Sequence, residues 1–127
     1  MRLDGEVYAI ADGWSPIDVA DTAAVRAEAV MNTRSARLIA SDATAAWIWG
    51  ALDALPRRRE FCADIRARAR VRPGADAAVR EVRLNDDDVV SLGARRVTSP
   101  ARTARDLARR GTMSATVAIL NGIAQQV

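Results

Sequence analysis

From residue 61 to residue 71 the chain alternates position by position. Phe61, Ala63, Ile65, Ala67, Ala69 and Val71 fall on one side; Cys62, Asp64, Arg66, Arg68, Arg70 and Arg72 fall on the other. Successive side chains of an extended backbone point to opposite faces, so this period of two predicts a half-buried strand, broken by Pro73-Gly74. Residues 79–84 predict a second strand, antiparallel to the first across a long hairpin. Asn85-Asp86-Asp87-Asp88 predicts a turn, with short strands at Val89-Val90 and Arg96-Val97 around Gly93. Nearer the start, residues 7–11 predict a short strand between Gly5 and Asp12-Gly13, and residues 36–40 a strand-like link.

Elsewhere the apolar spacing changes to three and four. Ser15-Pro16 opens a helix running to about Asn32, with Ile17, Ala20, Ala24, Ala27 and Met31 as its inner stripe. Ser41 starts a second helix through Ile48, stopped by Gly50. It carries Trp47 and Trp49, of which at least one is expected to anchor the core. Pro56-Arg57-Arg58-Arg59 reads as a turn. Ser99-Pro100 starts a third helix, with Ala101, Ala104, Leu107 and Ala108 inward and Arg102, Arg105 and Arg109 outward; Arg102 pairs with Asp106 one turn on. Thr112 caps a last helix with Met113, Val117, Leu120, Ala124 and Val127 on one stripe. The expectation is an α+β fold: a small mixed or antiparallel sheet with about four helices packed mainly on one face. Residues 1–127 form a single domain, with no internal repeat or dividing linker.

Charge sharpens this picture. All 19 basic residues are arginine, and the chain has neither lysine nor histidine. Residues 1–56 hold four arginines against eight acids, and residues 57–127 fifteen against eight. The second half is therefore a candidate anion-binding surface. No run of about 18 apolar residues suggests a membrane span, and the N-terminus lacks an apolar signal-peptide core. The single cysteine, Cys62, cannot form an internal disulfide. These features suit a cytoplasmic protein.

The missing residue types limit the chemistry. Without histidine there is no ordinary general base, no His-paired nucleophile and no common zinc ligand. Without lysine there is no phosphate-binding P-loop and no carboxylate-plus-lysine nuclease site. Carboxylates and arginines remain. Asp86-Asp87-Asp88 reads as a solvated corner rather than a cation site, and Cys62 as a partly buried structural thiol. No catalytic residue, metal or cofactor is assigned, and the chain is read as a non-enzyme.

The positive feature is the row of arginines. Neighbours two apart on a strand stand about 7 Å from each other, close to the spacing of phosphates along one nucleic-acid strand. Arg66, Arg68, Arg70 and Arg72 would track such a backbone, with Arg57, Arg58 and Arg59 at one end and Arg80 and Arg83 widening the patch. The partner would be DNA or RNA. The alternative is a solvated sheet face kept soluble by charge, or the same face serving as a protein-interaction or homodimerisation surface.

Residues 96–109, Arg-Val-Thr-Ser-Pro-Ala-Arg-Thr-Ala-Arg-Asp-Leu-Ala-Arg, resemble the V-T-S-P-A-R-T-x-x-D-L-A-R signature of the AbiEi family, antitoxins of type IV toxin–antitoxin systems common in actinobacteria. The motif positions are Thr98, Ser99, Pro100, Arg102, Thr103 and Asp106. Residues 3–8 resemble the G-x-Y strand that ends the family's winged helix, so residues 1–14 read as a remnant of that element. Residues 40–50 resemble a helix that often reads S-H-x-S-A-A-x-x-x-G, with Asp42 where the histidine is common. The resemblance implies a DNA-binding transcriptional regulator that represses its own operon. It also implies opposition to a nucleotidyltransferase-like toxin, for which direct contact is not required. The family's winged-helix DNA reader lies upstream of the G-x-Y strand, where this sequence starts.

Overall fold

The computed structural model describes residues 16–66 and 74–126. Helix α1 (Pro16–Met31) leads to a two-residue strand β1 (Ile39–Ala40) and a short helix α2 (Asp42–Ile48). Strands β2 (Arg59–Asp64) and β3 (Ala77–Val82) follow, then a 3₁₀ turn at Asp86–Asp88. The hairpin of β4 (Val89–Leu92) and β5 (Arg95–Thr98) feeds α3 (Pro100–Arg110) and α4 (Ser114–Gln126). The expected α+β class holds, with four helices and one mixed five-stranded sheet among the described residues, in the order β3-β2-β1-β5-β4. The expected strand at residues 7–11, the Ser15 cap, residues 67–73 of the alternating stretch and Val127 lie outside the described residues.

Strand β1 joins the two halves of the sheet: Ala40 pairs antiparallel with Phe61 and parallel with Val97. Adjacent strand residues face opposite ways, so Ile39 and Ala40 serve different cores. Ala40, Phe61 and Val97 join the main cluster with Val19, Ala23 and Val30 of α1, Ile48 and Trp49, Leu107 of α3 and Leu120 and Ile123 of α4. Ile39, Cys62 and Leu84 form a smaller cluster on the other side. Trp49 is the buried anchor, its indole N–H donating to the Thr98 carbonyl at 2.8 Å. Trp47 is only half-buried and carries the buried Arg26 guanidinium over its ring, 4.8 Å from the centroid.

Four expectations are corrected. First, β2 and β3 run parallel, Phe61 opposite Val79 and Asp64 opposite Val82. A period-two pattern is the same for either direction, and the segment from 65 to 76 has the dozen residues a crossover needs. Second, β2 ends at Asp64 and Ile65-Arg66 is a turn. The Asp64 carboxylate accepts from the Arg66 backbone N–H at 2.9 Å, closing an Asx-type turn that stops the strand. Phe61, Cys62 and Ala63 are all buried, because β2 is an inner strand covered on both sides. Third, α1 buries Val19, Ala23, Ala27, Val30 and Met31, leaving Ile17 exposed; alanines on most sides of this helix weaken its directional pattern. Fourth, Arg102 and Asp106 point inward while Ala101 and Ala108 are exposed, and α4 buries Thr116, Leu120 and Ile123 rather than a stripe through Met113.

Among the described residues no helix is long and apolar enough to cross a membrane.

Candidate functional site

Helix α3 begins by local chemistry. The Ser99 hydroxyl accepts from the Arg102 backbone N–H at 3.1 Å, and Pro100 fixes the first turn. The Thr103 hydroxyl donates back to the Ser99 carbonyl at 2.8 Å and lies 2.7 Å from the Thr98 hydroxyl. Gly111, at φ +72°, ends the helix in the left-handed region where a Cβ is disfavoured.

One turn inside that start, a chain of alternating charges begins. Asp88 of the 3₁₀ turn meets Arg102 at 3.1 Å, and Arg102 meets Asp106 at 3.0 Å. Asp106 meets Arg80 of β3 at 3.4 Å, and Arg80 meets Asp42 at 3.1 Å. Asp42 lies 3.8 Å from Arg110, which meets Glu60 of β2 at 3.0 Å. The side chains of Asp42, Arg102 and Asp106 are each no more than 7% exposed. Buried charges persist only when paired and hydrogen-bonded, and here each has further partners. Arg102 also donates to the Arg83 carbonyl at 3.2 Å, and Asp42 accepts from the Ser41 hydroxyl at 2.9 Å. Asp42 sits at φ +52°, a strained position for a side chain with a Cβ, held by this network and by Glu60, whose carboxylate accepts from the Ala43 N–H at 2.9 Å. Burial works against the Arg80 charge, yet the neighbouring Asp42 and Asp106 outweigh it and raise its pKa.

This chain forms one side of a cleft of about 560 Å³ between β3 and α3. Arg83, Arg105 and Arg109 line the same cleft and are exposed. Among the described residues no carboxylate lies within ion-pair distance of those three.

The arginines expected from the sequence scatter. Arg80 and Arg83 reach the cleft. Arg57 and Arg58 lie exposed in the turn before β2, and Arg59 folds back onto the carbonyls of Pro56 and Arg57. Arg66 is not on a strand: its guanidinium holds Asp64 at 2.7 Å and the Leu84 carbonyl at 2.6 Å, beside a separate small pocket with Asp86 and Ser91. Arg68, Arg70 and Arg72 lie outside the described residues. Sequence reasoning missed Asp42, Glu60, Arg105, Arg109 and Arg110 as site residues. The signal in the sequence is the i, i+4 pair Arg105 and Arg109 on the outward side of the helix.

The remaining reactive groups offer little. Among the described residues no cluster of histidine, cysteine, aspartate or glutamate suits a metal ion. Burial pushes the Cys62 thiol up to about 11, far from the thiolate form.

In the motif resembling the AbiEi signature, Thr98, Ser99, Pro100, Arg102, Thr103 and Asp106 are all buried. Ser99 and Pro100 fix the start of α3, and Arg102 and Asp106 tie it to Asp88 and Arg80. No curated protein and no solved structure matches the chain. A family model described as the AbiEi antitoxin C-terminal domain matches residues 35–127, from just before β1 to the end of α4. The chain belongs to the AbiEi antitoxin C-terminal domain family.

Proposed function

We propose that this chain acts in the cytoplasm as a non-catalytic antitoxin module that contacts DNA or RNA through the groove between β3 and α3. The observation that carries this reading is the rim of Arg83, Arg105 and Arg109, exposed and free of ion pairs among the described residues, above a floor of paired charges. Guanidinium forks suit phosphate oxygens, and α3 spaces Arg105 and Arg109 by one helical turn, about 5.4 Å. The carboxylates of the groove, Asp42, Glu60 and Asp106, are each engaged by an arginine, which disfavours a role as catalytic base. Family membership supplies the toxin–antitoxin context. In that context the partner in function is a nucleotidyltransferase-like toxin, and regulation of transcription follows from DNA contact.

Fluorescence anisotropy with labelled duplex and single-stranded oligonucleotides over a salt series tests the reading. Binding weakens steeply with salt, because each neutralised phosphate releases counterions. Arg105→Glu with Arg109→Glu lowers affinity at least tenfold and reduces the slope of log K against log salt by about 2. Circular dichroism confirms that the variant folds. Unchanged binding by the double variant overturns the site. A wild-type dimer that buries α3, detected by light scattering, favours the protein-interaction role instead.

A further inference from the structure

The cleft holds more than a basic rim. Arg80 and Arg110 belong to both the charge chain and the cleft wall, and their side chains remain 48% and 44% exposed. A guanidinium has five N–H donors in a fixed fork. Arg80 uses its Nε and Nη2 on Asp42 and Asp106, which leaves the Nη1 edge uncommitted among the described residues. Arg110 uses Nη1 on Glu60, which leaves Nε and Nη2 open. Both groups are therefore held by carboxylates on one side and present spare donors on another.

The charge balance of the cleft points to a particular anion. The described lining of the cleft holds three carboxylates and six guanidiniums, an excess of three positive charges, more than a single negative charge would balance. A phosphomonoester near pH 7 carries about −1.5 to −2, whereas an internal phosphodiester carries a single charge. The cleft volume lies in the range of small-molecule sites. Among the described residues it offers no stacking platform: Phe61, the one aromatic among them that lines it, is 1% exposed. A nucleotide here would be read by its phosphate and not by its base.

We propose that this cleft is a phosphate-terminus site, seating a phosphomonoester between the spare edges of Arg80 and Arg110 beneath Arg105 and Arg109. The ligand chemistry is shared by the end of a nucleic-acid strand and by a free mononucleotide. The proposal rests on the groove reading above and deepens it.

The test compares two single-stranded 12-mers of identical sequence, dye-labelled at the 3′ end, carrying either a 5′-phosphate or a 5′-hydroxyl. The phosphorylated strand binds about tenfold tighter, the equivalent of one charge-assisted hydrogen bond. Arg110→Gln brings the ratio of the two affinities to about one. Arg80→Lys, which keeps the charge and removes the fork, does the same and serves if the first variant fails to fold. Competition by adenosine 5′-monophosphate at millimolar concentration assigns the site to free nucleotides. Competition only by the phosphorylated 12-mer assigns it to strand ends. Equal affinity for the two strands, each with steep salt dependence, overturns this site and leaves the groove reading standing. Failure of both strands to bind overturns both.

Discussion

Arg102 is a guanidinium with almost no solvent contact, held between Asp88 and Asp106. Removing it takes the cation from Asp88 and leaves the buried Asp106 with the longer 3.4 Å contact to Arg80. Arg102→Ala is expected to cost about 3–5 kcal/mol, read as a shift in the urea midpoint. An exposed pair would cost less than about 1 kcal/mol, so a loss that small would show the pair to be solvated. Asp64 behaves differently because it is close to solvent. Its side-chain and backbone hydrogen bonds from Arg66 lower its pKa from 3.8 to about 2. The folded value lies below the unfolded one, so this contribution is complete above 3.8 and fades as pH falls through 2. A carbon-detected NMR titration should place the Asp64 midpoint near the lower value, and Asp64→Asn should remove that part of the acid sensitivity.

At the scale of elements, α3 shows what local pattern conveys and what it does not. Its start is a Ser–Pro pair and its stop a glycine in the left-handed region, chemistry that needs no distant partner. Ser99→Ala should therefore cost about 1 kcal/mol, and Ser99→Asp should restore it, both measured by thermal melting. The direction in which α3 faces was not legible. Its inner side carries Arg102 and Asp106, whose partners Asp88 and Arg80 are remote in sequence, and a hydropathy pattern assigns such charges to solvent. The groove was hidden for the same reason: Arg80 and Arg83 line it, but Arg105, Arg109 and Arg110 reach it from α3, while Arg66 lies in a turn away from it. Direction was equally hidden in β2 and β3, where the intervening segment decides between parallel and antiparallel. What was plain were the places where a cap or a breaker acts on its own neighbours.

At the scale of the whole molecule, the uneven charge noted along the sequence gathers in space. Arg80 from β3 and Arg83 just beyond its end share a cleft with Arg105, Arg109 and Arg110 from α3, while Asp42 comes from the acidic first half. The fold thus uses one acid from the N-terminal half to organise the basic C-terminal half. This arrangement depends on β1, a strand of two residues with Phe61 on one side and Val97 on the other. A ribosome releases β1, α2, β2 and β3 before β5 exists. At about 5–20 residues per second, the partly made protein spends on the order of seconds with one flank of Ile39-Ala40 bare. A nascent chain stalled with residue 94 outside the exit tunnel should be cut readily by protease, and one stalled with residue 126 outside it should resist. A cell that needs this fold promptly must wait until β5 has been made.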